Sequence, residues 1–265
     1  MLGLGSSLTT GGVISKFTNY SGSFDGTADF ASTDGPVAAL QPTAALSISF
    51  WAKPNAWDMT NGSNSDTFIG CLSSGGWKVY LNNSGGQATT LNFQIRVDDT
   101  GSGSAGYITA TMNEATTEAL SGWKNVVATY DGTTAKLYVN GSTTGVTNAT
   151  SASGAAIAYH GSNDRAVCVG ADAKAATDAE NFFHGLIDDV AIFNDDLSAA
   201  EVTAIYNSGV PFDLTANKGD YAASGDLVGY WLFEEGTGTT VADSSTTSNA
   251  LDEGDAWSWS TDTPE

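Results

Sequence analysis

Thirty aspartates and glutamates stand against nine lysines and arginines in this chain of 265 residues, a formal net charge of −21 at pH 7. Carboxylates are therefore the first groups to test for chemistry. Glycoside hydrolysis needs two of them, one on each side of a scissile bond. The nearest pairs are Glu234-Glu235 and Glu253-x-Asp255, both late in the chain. Asp188 and Asp189 are neighbours in a strand-like stretch, so their side chains are expected on opposite faces, where they cannot flank one substrate. No pair has the spacing and common face that hydrolysis needs. Nucleophilic catalysis has less support still. His160 and His184 each follow an aromatic residue, and neither a serine elbow nor a Cys–His pattern surrounds them. Two histidines and two distant cysteines do not make a zinc set. No glycine-rich phosphate loop follows a strand and opens a helix. No catalytic residue is assigned, and the chain is read as a non-enzyme.

Recognition chemistry has more to work with. Sugars stack on aromatic faces and hydrogen-bond to planar polar groups. Five aromatic residues fall in loop-like sequence: Trp57, Trp77, Tyr159, Trp257 and Trp259. Trp123 and Trp231 lie inside strand patterns and are assigned to the core. For any single loop tryptophan, packing is the competing role. Calcium asks for about six to eight oxygen ligands. The loop 57–66, WDMTNGSNSD, offers Asp58, Asn61, Asn64 and Asp66, at a spacing that misses the EF-hand pattern.

The elements that must position these groups are short strands. Leu186, Asp188, Val190 and Ile192 alternate with Ile187, Asp189, Ala191 and Phe193, the period of a strand. Asn194, Asp195 and Asp196 break it. Ser198 stands three residues before Glu201, the spacing of a capping box, and Val202, Ile205 and Tyr206 follow at helical spacing, so a short helix is expected near 198–208. Gly209 and Pro211 are expected to end it. Further strands are read at 23–31, 46–54, 67–72, 77–81, 91–97, 107–112, 123–130, 135–139 and 166–170. The turn Asp131-Gly132 joins the clearest hairpin. Residues 142–158 read as a meandering edge and 172–181 as a loop. This pattern predicts an all-β, two-sheet antiparallel sandwich with one short helix.

Four stretches carry a resemblance. They are SFDG at Ser23–Gly26 with Asp29-Phe30, LSISFWAKP at 46–54, WKNVVATYDGTTAKLYVNG at 123–141, and FHGLIDDVAIF with DLSAAEVTAIYNSG across 183–209. Together, and in this order, they resemble the laminin-G-like domains of the concanavalin A-like lectin/glucanase superfamily. The resemblance implies a jelly-roll sandwich. It also implies a calcium held where the first strand meets the last, with Asp25 and Asp188 at the matching positions and Asp29 and Asp189 as alternates. The glucanase pattern Glu-x-Asp-x-x-Glu is absent. A last stretch, LVGYWLFEEGTGTTVAD at 227–243, is similar to the segment that normally begins such a domain. Both faces of its strand are apolar, so it should be buried or paired rather than free. The expected organisation is an N-terminal arm at 1–22 and one sandwich at 23–265, with 227–243 inserted in permuted order and 210–226 as the connection.

The acidic balance argues against nucleic acid and against anionic membranes. No run of about 18 apolar residues predicts a membrane span. The first residues lack the basic and apolar segments of a secretory leader. Cys71 and Cys168 each sit in an apolar strand and read as buried free thiols. The expected function is a recognition or adhesion module, carbohydrate-binding and calcium-assisted, whose partner is a glycan or glycosylated surface. The alternative is a structural component of a larger assembly, such as a phage virion surface or tail protein, in contact with other subunits. The expected location is extracellular or on a virion surface.

Overall fold

The computed structural model describes residues 19–54, 65–72, 75–84, 87–98, 105–113, 121–150, 156–159, 166–175, 178–255 and 257–264. Its strands are β1 (Ser21–Asp25), β2 (Phe30–Ser32), β3 (Leu46–Pro54), β4 (Ser65–Leu72), β5 (Gly76–Ser84), β6 (Gln87–Asp98), β7 (Ala105–Asn113), β8 (Lys124–Tyr130), β9 (Thr134–Val139), β10 (Val146–Thr147), β11 (Ala149–Thr150), β12 (Ala156–Ile157), β13 (Cys168–Val169), β14 (Asp172–Ala175), β15 (Asp178–Glu180), β16 (His184–Phe193), β17 (Leu227–Trp231), β18 (Glu253–Asp255) and β19 (Ser258–Ser260). Helix α1 (Ala199–Tyr206) stands between β16 and β17. The first sheet has the order β11-β9-β8-β3-β16-β1-β19, with β17 also on β16. The second runs β10-β7-β6-β5-β4-β13-β2-β18, with β12 on β6. The two sheets make the antiparallel sandwich that the strand pattern predicts. Among the described residues no helix is long and apolar enough to cross a membrane.

The core follows from alternation. Ile48, Phe50 and Ala52 of β3, Val126, Ala128 and Tyr130 of β8, and Val79 and Leu81 of β5 all turn inward between the sheets. The opposite residues of the first sheet, Val127, Ala191 and Phe193 among them, face a second apolar cluster built with Val202 and Ile205 of α1. Ser198 caps that helix: its hydroxyl accepts the Glu201 N–H, and Glu201 returns a bond to the Ser198 N–H. The helix ends earlier than Gly209, because Asn207 takes the left-handed cap conformation at φ 44°.

Four expectations need correction. The alternation in β16 breaks at Asp189, which lies at φ 48° inside a bulge, so Ile187, Val190 and Ile192 share the core side. The stretch 172–181 is not a loop but the small hairpin β14–β15, pinned by an ion pair of 2.9 Å between Lys78 and Asp172. Trp123 precedes β8, half-buried, rather than lying in the core. Ser21 and Gly22 belong to β1 rather than to an arm; residues 1–18 lie outside the described residues. The cysteines are buried and form no disulfide, Cys71 in the main core and Cys168 in a separate cluster with Phe30 and Ala171.

The C-terminal segment is part of the sandwich. β17 pairs with one half of β16 (Val190↔Trp231, Ile192↔Gly229), and β1 pairs on the same side with the other half (Gly22↔Ile187, Asp25↔His184). The two short strands thus lie end to end. Trp231 and Phe233 are fully buried, and the Trp231 indole donates to the Asn249 carbonyl at 2.9 Å. Asp243 gathers the return: its carboxylate accepts the N–H groups of Tyr230, Ser245 and Asn249 at 2.8–2.9 Å. Glu234 in turn accepts from the backbone and side-chain amides of Asn19, which ties the start of β1 to the end of β17. Replacing a fully buried aromatic by alanine typically costs about 3–5 kcal/mol. Trp231→Ala is therefore expected to lower the unfolding free energy by about that amount in urea titrations; a loss below about 1 kcal/mol would show that the tail contributes little to the fold.

Candidate functional site

One row of paired residues crosses four strands of the first sheet: Lys53 of β3 opposite Leu186, Leu186 opposite Ser23 of β1, and Ser23 opposite Ser258 of β19. Directly paired residues project to the same face. Because Ile187 faces the core, Leu186 and its partners face outward. Two positions along, His184 is paired with Asp25 and projects to the same side. These residues line a groove of ≈ 370 Å³ together with Asp29 and Asp262. That volume falls in the range of small-molecule sites.

Each polar group is positioned by a local reason. Asp25 caps the turn between β1 and β2. Its Oδ1 accepts the N–H groups of Thr27, Ala28 and Asp29 at 2.8, 3.1 and 3.3 Å, and its Oδ2 accepts the Thr27 hydroxyl at 2.5 Å. Burial pushes the Asp25 carboxyl up, but these bonds together outweigh it and hold the group at about 2. Asp29 accepts the Asp25 N–H at 3.0 Å; burial, and next the Asp25 charge, raise its carboxyl above the ordinary value. Gly26 makes the turn at φ +77°, where a Cβ would meet the His184 Cβ at 2.8 Å, so only glycine fits above the imidazole. Across the groove, Asp262 is clamped by the Lys53 ammonium and by the Trp123 indole N–H at 2.9 Å. Among the lining residues Lys53 carries the one ammonium, and it is already engaged. The groove is thus a hydroxyl- and carboxylate-rich trough with an apolar floor at Leu186.

The aromatic residues expected to bind ligand are placed elsewhere. Trp77 is fully buried in phase with Val79 and Leu81, and presents no face. Trp257 is buried, stacked on Phe24 at 6.0 Å. Trp259 alternates with groove-facing Ser258 and so turns away from the groove. It packs on Trp257 at 4.7 Å, and its N–H donates to Gly238. Tyr159 packs against the core and donates its hydroxyl to the Pro42 carbonyl at 3.0 Å. Trp57, like Asp58, Asn61 and Asn64, lies outside the described residues. The expected platform of loop aromatics is not assembled from the described four. Sequence reasoning missed Lys53, His184 and Asp262 as groove residues, because they come from three distant segments.

The carboxylates expected to share a calcium fall into two places. Asp25 lies opposite His184, and Asp188 sits four residues further along β16, about 13 Å at the rise of an extended strand. Asp25 and Asp29 do meet, but in a turn whose N–H and O–H donors already point at the Asp25 oxygens. Asp188 and Asp189 are buried, the Asp189 N–H donating to Asp188 Oδ1 at 2.9 Å and the Tyr230 hydroxyl to Asp189 Oδ1 at 3.0 Å. Among the described residues no three His, Cys, Asp or Glu side chains converge as a metal-holding group. Asp25 and Asp188 therefore do not share one ion.

This assignment has a direct consequence. A carboxyl held below its ordinary pKa contributes stability that is fully present above about pH 4 and is lost as the pH falls towards about 2. Asp25→Ala should therefore lower the melting temperature at neutral pH equally in calcium and in chelator, and flatten the loss of stability between about pH 4 and 2. A destabilisation seen only with calcium present would restore a metal at Asp25.

Known proteins support the architecture. A family model described as the concanavalin A-like lectin/glucanases superfamily, of the laminin G type, matches residues 25–203. Among solved structures, one described as carbohydrate-binding from Bacteroides ovatus aligns with a TM-score of 0.61 at 15% identity, covering 93% of this chain. This chain spans 61% of that protein's length. The CBM40 of Ruminococcus gnavus IT-sialidase aligns with a TM-score of 0.52 at 15% identity, over 70% of this chain and 96% of that one. The same CBM40 bound to alpha2,3 sialyllactose gives 0.51 at 14% identity over the same shares. At these identities the likeness is one of fold. No curated protein sequence matches this chain. The match over residues 25–203, carried by a sandwich of the matching architecture, shows that the chain belongs to the laminin-G-like family of the concanavalin A-like lectin/glucanases superfamily.

Proposed function

We propose that this protein is a non-catalytic recognition module whose groove across β3, β16, β1 and β19 binds neutral, hydroxyl-rich carbohydrate. The observation that carries the reading is the groove itself: serine hydroxyls, carboxylates and an imidazole at fixed positions beside the apolar side chain of Leu186, with Asp262 held by the Trp123 indole N–H. Such groups suit sugar hydroxyls, which both donate and accept. Solved structures of the same fold described as carbohydrate-binding add support.

Charge selects among sugars. An acidic sugar needs a cation for its carboxylate, and Lys53 is committed to Asp262. Asp25 stays ionised, and the chain as a whole is strongly negative. A sialylated ligand would meet repulsion where a neutral one would not. The same commitments argue against hydrolysis, which needs a proton-bearing carboxyl facing an ionised one. Asp25 and Asp29 are spent on one turn, and Asp262 is clamped from two sides.

On a glycan array the protein should retain neutral oligosaccharides and reject sialylated ones, with and without chelator. Asp262→Asn should weaken binding roughly tenfold, the loss of about one charge-assisted hydrogen bond, and Trp123→Ala should weaken it less, by freeing Asp262 from one of its two clamps. Retention of sialylated glycans alone, unchanged affinity in both variants, or release of reducing ends would each contradict the assignment.

A further inference from the structure

A second groove, of ≈ 530 Å³, is bounded by the turn after β9, by helix α1 and by the connection 210–226. It shares no lining residue with the groove across β3, β16, β1 and β19. Two asparagines line it from different walls. Asn140 stands in the turn after β9 at φ 51° and exchanges bonds with Asn125: its N–H donates to the Asn125 carbonyl at 2.8 Å, and its Oδ1 accepts the Asn125 N–H at 3.0 Å. Asn207 caps α1 at φ 44°, and its Nδ2 donates to the Val210 carbonyl at 2.8 Å. Asparagine tolerates the left-handed region because its short side chain bonds locally. Each backbone partner fixes which end of the amide it takes. The Asn140 NH2 and the Asn207 Oδ1 are left over, with no partner among the described residues. The groove thus offers one oriented donor group and one oriented acceptor.

Small and aromatic residues complete the walls. Ala200 and Ala204 are one turn apart on α1 and share a face. Tyr206 is half-buried, backed by the Trp51 ring at 6.2 Å. Gly141 lets the turn lie against the Tyr206 ring: at φ +73°, a Cβ there would come within 3.3 Å of Tyr206 Cδ1. Among the described residues that line the groove Asp220 alone is charged, and it is exposed on the connection.

We propose that this groove is a second ligand site and takes the acetamido group of a neutral N-acetylhexosamine. A secondary amide complements the two asparagines: its carbonyl accepts from the Asn140 NH2, and its N–H donates to Asn207 Oδ1. A trans amide carries these groups on opposite edges, and its methyl group belongs against Ala200 and Ala204. The ring hydroxyls donate to Asp220. The described lining residues include no cation to hold an acidic sugar. The volume falls in the range of small-molecule sites. This site stands on its own residues, whether or not the groove across β3, β16, β1 and β19 binds sugar.

The test is an NMR titration of the assigned protein with three probes, N-acetylglucosamine, glucose and N-methylacetamide, with affinity read at the signals of this groove. N-acetylglucosamine should shift the Asn140 side-chain NH2 and the Asn207 and Ala204 backbone signals saturably. It should bind there roughly tenfold more tightly than glucose, the difference of about one hydrogen bond. Asn140→Asp keeps the oxygen that the Asn125 N–H needs and replaces the free donor by an acceptor, so it should weaken binding about tenfold or more. Ala200→Gln, at an exposed helix position, should weaken it too by filling the groove, and decides if Asn140→Asp does not fold. Equal affinity for glucose or for N-methylacetamide, or unchanged binding in either folded variant, overturns the acetamido-sugar site. Shifts confined to Ser23, Lys53 and His184 would assign the sugar to the other groove alone and overturn it as well.

Discussion

Strand β16 is buried in the middle of a sheet, and the hydrogen-bonding groups on both of its edges must be met. An unpaired backbone group in such a place costs on the order of 1–3 kcal/mol. On one edge β3 meets it over nearly its whole length. On the other edge no single segment does. β1 satisfies the half from His184 to Ile187, and β17, more than 200 residues later in the chain, satisfies the half from Val190 to Phe193. The return of the C-terminal segment follows from this need. So does the covering of the sheet's outer face, because the connection that carries the chain back must cross it and buries Leu214 and Tyr221 there. We propose that the strand order is a circular permutation of the family's usual one. What supports this is that β17 ends along β16 where β1 begins.

The same strand divides the molecule's chemistry. Before the bulge, the outward residues of β16 are His184 and Leu186, which open onto the groove with β1, β3 and β19. After it, the outward residues Ala191 and Phe193 are covered by α1 and the connection. Asp189 marks the change of phase. The carboxylates of the two regions are correspondingly different. The turn's donors hold Asp25 of the groove well below the ordinary carboxylate value, whereas burial pushes the Asp189 carboxyl up.

Much of this was legible in the residues, for identifiable reasons. The strands of the sandwich have apolar alternation, and the Ser198–Glu201 spacing and the Asp131-Gly132 turn act locally, so sequence shows them directly. The bulge at Asp189 is not visible, because the alternation of residue types continues through it while the backbone does not. The β14–β15 hairpin was hidden by residues such as Asp172, Lys174 and Asp178, which carry no apolar face. Trp257 and Trp259 read as loop aromatics because the tail was not known to pair with β1, although Ser258-Trp259-Ser260 does alternate. The groove was the least legible part. Asp25 and Asp29 stand out in the sequence, but as candidates for a metal. Asp262, Lys53 and Trp123 carry no local signal, since they become neighbours only through strand pairing between the two ends of the chain.

A direct test of the account is an NMR titration of the assigned protein with a neutral oligosaccharide that it retains. The account predicts that shift changes centre on the backbone of Ser23, Asp25, Lys53, His184 and Ser258 and on the Trp123 indole N–H, the group bonded to Asp262. Changes centred elsewhere, with these signals unmoved at saturation, would contradict the groove as the binding site.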